Sequence, residues 1–260
     1  MFGDHFIADR IARQFYSIDQ NLRIRFINGS NLFTENHYTT LFAEYLNISF
    51  AGILPNVVYS SVLKRPDETK FGCDGIIIFQ FGTEVKVGLF EAKWPFRKGW
   101  DYRQGSSASH FTNQIIRQSK YKGEFAIWET FYDSRTLHNA FIPNNFGSTC
   151  SWHKETHDFQ VASIINRVWT TIDVATLLGI HGHNFYQIIY SILMCSKGKK
   201  IDTSKTQSIV IEMADRYSET IPIPINFDSN LDGNQKIETF MKKAGLSLYV
   251  AINLTDTNKK

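Results

Sequence analysis

Cys73-Asp74-Gly75-Ile76-Ile77-Ile78-Phe79 and, a short turn later, Val87-Gly88-Leu89-Phe90-Glu91-Ala92-Lys93 decide how this chain is read. Ile76 to Phe79 and Val85 to Phe90 are β-branched or apolar runs of strand length. Gly82-Thr83, between Phe81 and Glu84, suits a two-residue hairpin loop with glycine at its first position. Paired positions in such a hairpin share a constant sum, so pairing Phe81 with Glu84 sets Asp74 opposite Glu91. Side-chain alternation then puts Lys93 on the same face and Ala92 on the other. A one-residue slip would send Asp74 away from Glu91. Ile76, Ile78, Val87 and Leu89 line one side, Ile77, Phe79 and Phe90 the other, as in a strand pair covered on both faces.

Two carboxylates at the end of a buried hairpin repel each other and are costly to desolvate without a cation between them. Their proximity points to a metal site or a strong ion pair. Oxygen ligands with no neighbouring Cys or His set favour Mg²⁺ or Mn²⁺ over Zn²⁺. Lys93 has two readings: it neutralises a carboxylate structurally, or it orients the attacking water and stabilises charge on a phosphate.

Asp74 and Glu91-Ala92-Lys93, with a helix before the hairpin and another after it, resemble the PD-(D/E)XK nuclease superfamily, whose fold is the restriction-endonuclease-like one. The resemblance spans about residues 30 to 135, and Cys73 stands where the name-giving proline would be. It implies an α/β protein with a central mixed β-sheet flanked by helices, and a Mg²⁺-dependent (or Mn²⁺-dependent) endonuclease. Asp74, Glu91, the Ala92 carbonyl and a Glu from the first helix would hold the metal, with Lys93 positioning the water and a Gln on the second helix assisting. Double-stranded DNA is the expected substrate, with RNA left open, and a restriction-type enzyme is expected to form a homodimer.

The flanking sequence supplies these parts. Thr34 suits an N-cap, and Tyr38, Leu41, Phe42, Tyr45 and Leu46 follow helical spacing. Glu35 lies on that inward stripe and Glu44 does not, so the metal-site Glu falls on Glu35; a first-turn acid also simply complements a helix start. Over Ser107 to Lys122, Phe111, Gln114, Gln118 and Tyr121 share a face. Gln114 is the first candidate beside Lys93 and Gln118 the second; an exposed polar face is the plain alternative for either. The loop Lys93 to Arg103 mixes cations and rings, with Arg97, Lys98 and Arg103 available to a nucleic-acid backbone and Trp100 or Tyr102 to a base. Arg117, Gln118, Lys120, Lys122 and Lys197 to Lys200 are further backbone candidates.

The remaining features set bounds. The 260 residues, 43% of them hydrophobic, can bury one substantial core with a small appended lobe, and a net charge of +3 neither requires nor opposes a nucleic-acid partner. Three scattered cysteines disfavour a disulfide framework and suit a reducing cytoplasm. No apolar run has signal or membrane-span length, so no membrane partner is expected. Phe6 to Tyr16 reads as a helix and Leu22 to Ile27 as a strand or arm. Val57 to Leu63 and Phe125 to Phe131 read as core strands, with Glu129 and Asp133 taken as structural.

Beyond them, Val161 to Leu178 and Asn184 to Met194 carry helical spacing, and Ile209 to Met213 and Leu246 to Ile252 read as strands. The chain is thus expected to be a single domain over 1–260, with a core at about 30–135 and a C-terminal α+β elaboration at about 150–260. Ile221 to Ile225, with alternate prolines, cannot be central sheet. His153 and His157 have a spacing that could bind zinc on a helix, but no third ligand is evident. Two other classes stay open: a catalytically silent nucleic-acid-binding or assembly subunit, and an unrelated α/β protein in which Lys93 only neutralises the acids.

Overall fold

In a computed structural model of the chain, the described residues are 4–27, 35–51, 58–62, 72–94, 100–102, 109–132, 147–164, 167–204, 210–212, 220–224 and 231–255. They form an α/β structure around one mixed sheet. The helices are α1 (His5–Ile27), α2 (Glu35–Ala51), α3 (His110–Gln118), α4 (His153–Ser163), α5 (Thr171–His181), α6 (Phe185–Leu193) and α7 (Leu231–Ala244). The strands are β1 (Val58–Val62), β2 (Gly75–Phe81), β3 (Glu84–Lys93), β4 (Ala126–Phe131), β5 (Thr149–Trp152), β6 (His183–Asn184), β7 (Ile201–Asp202), β8 (Val210–Glu212), β9 (Thr220–Pro222) and β10 (Leu248–Asn253). The sheet runs β1-β10-β2-β3-β4-β5-β6, and β7 pairs with the start of β3. Neighbours β10/β2 and β3/β4 are parallel and the other pairs antiparallel.

Helices cover both faces, which is why β2, β3 and β10 are apolar almost throughout. On one face Ile77, Phe79, Phe90 and Trp128 pack with Phe15 of α1, Phe42 of α2 and Ile188 of α6. On the other, Ile76, Ile78, Val87, Leu89 and Ile127 meet Ile237, Phe240 and Met241 of α7. A third cluster joins Phe131 at the end of β4 to Phe111 and Ile115 of α3 and to Trp169, Val174 and Leu177 around α5. The two faces of the hairpin carry the residues that the alternation assigns to them.

Three sequence expectations are corrected. Residues Leu22 to Ile27 are helix, not strand or arm: α1 is continuous because Ile18 and Leu22 extend the spacing of Ile11 and Phe15, and no Gly or Pro interrupts residues 5–27. The helical stretch from Val161 to Leu178 is two helices, α4 and α5. The break falls before Thr170, whose side chain and that of Asp173 form a capping box that starts α5. Finally, β10 is not peripheral. It lies between β1 and β2, so a strand from the C-terminal end completes the sheet that carries the hairpin, and β1 becomes its edge. Pairing across nearly 200 residues leaves no local trace. Pro222 and Pro224 flank the buried Ile223, and among the described residues β9 pairs with β8, outside the main sheet.

Candidate functional site

The hairpin forms in the expected register, with Phe81 paired to Glu84 and Gly75 to Phe90. Gly82 takes φ +60 at the first loop position, which a side chain would resist. Asp74 lies just before the first paired residue. Its amide donates to the Phe90 carbonyl at 2.8 Å, and its Oδ2 accepts from the Ala92 amide at 2.8 Å. Its carbonyl accepts from the Ser247 amide and hydroxyl at 2.8 and 2.9 Å, which ties the hairpin end to the start of β10. Glu91 and Lys93 share one face of β3, and Lys93 Nζ donates to Glu91 Oε1 at 2.6 Å.

Helix α3 closes over this pair. Ser109 caps it by accepting from the Thr112 amide at 2.9 Å, and the inward stripe of Phe111, Gln114, Ile115 and Gln118 is buried. Gln114 sits between the two charges: its Oε1 accepts from Lys93 Nζ at 2.5 Å, and its Nε2 donates to Glu91 Oε1 at 2.5 Å. An ammonium can only donate and an ionised carboxylate only accept, so the amide orientation follows from the partners. Lys93 Nζ also lies 4.7 Å from the Phe111 ring centroid, on a face that attracts cations.

The close seat of α3 depends on Gly72, at φ +72. A Cβ there would stand 2.7 Å from the Gln114 carbonyl oxygen, and the Gly72 carbonyl accepts from Gln118 Nε2 at 2.5 Å. The resulting cluster is enclosed: Asp74, Glu91, Lys93 and Gln114 are 2%, 0%, 7% and 3% exposed. Charges so removed from water interact strongly, and each depends on its partner.

Two more residues belong to this face. Glu129, which the sequence reading leaves structural, is the Cα partner of Glu91 across β3 and β4 and is fully buried. Its Oε1 lies 3.2 Å from His153 Nδ1, and His153 Nε2 lies 3.1 Å from Ser119 Oγ at the end of α3. Glu129 Oε2 is buried with no hydrogen-bond partner among the described residues. The Cys73 thiol is pushed well above its ordinary value by burial and then by Glu91, Glu129 and Asp74, so three carboxylates act on one spot. A single charge inside the apolar run Ala126 to Phe131 was the available signal for Glu129; its placement beside Glu91 needed the parallel pairing of β3 and β4.

An all-oxygen donor set with one orphaned buried carboxylate oxygen suits a hard divalent cation in kind. In arrangement the fit is incomplete, since among the described residues no three His, Cys, Asp or Glu side chains are grouped to hold a metal ion. That holds equally for the zinc spacing: His153 is committed to Glu129 and Ser119, while His157 Nδ1 lies 3.6 Å from Asp158.

The other candidates divide. Arg97, Lys98, Arg103 and Asp133, and the side chain of Glu35, lie outside the described residues. The start of α2 does lie at the site end of the sheet, because the Tyr38 ring is 4.1 Å from that of Tyr132, whose amide donates to the Lys93 carbonyl at 2.8 Å. Glu44 is exposed, away from the buried stripe of α2. Arg117 is half-buried, whereas Gln118 is fully buried on the Gly72 carbonyl and, as placed, meets no solvent. Trp100 is buried against Phe131 and cannot stack on a base; Tyr102 is exposed. Lys197 lies over the Trp152 ring near Glu155, and Lys200 pairs with Glu84.

Among the described residues no helix is long and apolar enough to cross a membrane. Compared with protein-family models, curated proteins and solved structures, the chain finds no match.

Proposed function

We propose that this chain is a metal-dependent nuclease that hydrolyses phosphodiester bonds in DNA, on a core of the restriction-endonuclease-like kind. The observation that carries the reading is the cluster of Glu91, Lys93 and Gln114 at one hairpin end, with the Asp74 carboxylate held on the amide of Ala92 between Glu91 and Lys93. Asp74 and Glu91 would hold the Mg²⁺ or Mn²⁺, with Glu35 and the Ala92 carbonyl as the further ligands that the resemblance implies. A bound divalent cation supplies polarisation of the phosphoryl oxygen and a more acidic water. Lys93 would orient an attacking water and offer its ammonium to charge developing on the phosphate. Gln114 holds the Lys93 ammonium and the Glu91 carboxylate in mutual register, and the Asp74 carboxylate is fixed by the Ala92 amide.

A second reading is favoured by one observation, the near-complete enclosure of all four side chains. On that reading the chain binds nucleic acid, or assembles with a partner, without cutting, and Lys93 serves as the counter-ion of Glu91.

Incubation of linear, circular and single-stranded DNA with Mg²⁺, Mn²⁺ or EDTA separates the two. Cleavage that needs the divalent ion and falls at least about 100-fold in Asp74→Ala and in Lys93→Ala supports the nuclease. DNA binding by the wild type with no cleavage under any of these conditions replaces it with the second reading.

A further inference from the structure

The chain between the candidate site and α3 carries an exposed aromatic ring that is held unusually firmly. Tyr102 is 50% exposed, and its ring stacks on that of His110 at 4.7 Å between centroids and 13° between planes. The backbone is pinned as well: the His110 amide donates to the Tyr102 carbonyl at 2.9 Å. Asp101 does the rest. Its Oδ1 accepts from the amides of Tyr102 at 2.8 Å and Phe111 at 2.9 Å, and its Oδ2 accepts from the Trp169 amide at 3.2 Å. Beneath, Trp100 and Phe111 both pack edge-on against Phe131 in the buried core.

A large ring left half in water would ordinarily lose its rotamer freedom only on binding something. Here the ordering cost has largely been met in the free protein, the condition under which stacking contributes most to affinity. The position is equally specific. His110 opens α3 and Gln114 lies four residues on, about 6 Å along the helix axis, and the intervening Phe111 carries the Lys93 ammonium over its ring.

We propose that Tyr102, backed by His110, is a stacking platform for an unpaired nucleobase next to the phosphate at the Asp74–Glu91–Lys93 site. This rests on the nuclease reading for the identity of the ligand and narrows the substrate to a strand with unstacked bases: single-stranded DNA, or a duplex end or gap. Bases inside an intact duplex present only edges to a protein, whereas a free base offers a face that an aromatic side chain can cover whatever its identity. The neighbouring Trp100, the other stacking candidate in the sequence, is enclosed and unavailable.

The test is binding, in EDTA so that nothing is cut, of a fluorescein-labelled single-stranded oligodeoxynucleotide and of the matching duplex, read by anisotropy. A 2-aminopurine in the single strand reports stacking directly. Tyr102→Ala is expected to weaken single-strand binding about 5- to 150-fold and to abolish the quenching of 2-aminopurine. Tyr102→Phe keeps both, and duplex binding changes less than about twofold.

Single-strand affinity of Tyr102→Ala within about twofold of wild type overturns the platform, as does a wild type that binds duplex but no single strand. An equal loss on both DNAs in Tyr102→Ala, with Tyr102→Phe intact, also overturns the preference for unpaired bases. The nuclease reading fails separately: single-strand binding that depends on Tyr102, with no divalent-dependent cleavage, leaves the platform standing without it.

Discussion

Replacing Lys93 by Met tests the geometry of the buried cluster without reference to any activity. The ammonium is the cationic partner of a carboxylate that is fully enclosed, at 2.6 Å. Methionine keeps most of the side chain's volume while taking the Lys93 counter-charge away from Glu91. Removing one member of a buried pair costs about 3–5 kcal/mol, much of it the penalty of the stranded charge. In a chain of this size that corresponds to a fall in Tm of roughly 6–20 °C. Glu91→Gln strands the ammonium instead and should cost a similar amount. The double variant removes both members of the pair and strands neither, so it should be less destabilised than either single one, with a coupling above about 1 kcal/mol in a double-mutant cycle.

Urea denaturation, with unchanged m-values as the check on two-state behaviour, measures all of this. Single variants each within about 1 kcal/mol of wild type, with additive effects, would show that Lys93 and Glu91 are not paired in the dry interior and would refute the geometry.

Gly72→Ala combines a left-handed φ with a Cβ placed 2.7 Å from the Gln114 backbone oxygen. It should cost about 2–3 kcal/mol and push α3 away from Lys93, seen as a lower denaturation midpoint together with faster amide exchange over residues 110–118. Asp173 caps α5 and takes a bidentate pair from Arg167 at 2.5 and 2.8 Å, which, with Thr170, holds its carboxyl at about 2, against an ordinary 3.8. A lowered folded value means stability that is present above about 3.8 and is lost as pH falls towards 2. Asp173→Asn should then lower stability by about 1–2 kcal/mol at pH 7, discounted for the exposed Arg167, and the difference from wild type should disappear near pH 2 in urea titrations.

How much of this was legible in the residues alone follows the range of each interaction. Apolar alternation, a glycine-bearing two-residue turn and the run of strand formers determined the hairpin and its register, and with them the place of Asp74, Glu91 and Lys93 at one hairpin end, because a hairpin is a local structure. Helical spacing likewise put Gln114 and Gln118 on one face with Phe111 and Tyr121 without saying whether that face is covered, and the prolines at 222 and 224 kept that segment out of the main sheet. Tertiary structure decided what depends on distant chain. It inserted β10 between β1 and β2, set Glu129 beside Glu91 and tied it to His153. It also committed Gln118 to the Gly72 carbonyl and buried Trp100 while leaving Tyr102 in water. The physical reason is that periodicity specifies which side of an element faces inward, whereas strand order and the identity of the covering partner come from packing among segments far apart in sequence, on which no local pattern reports.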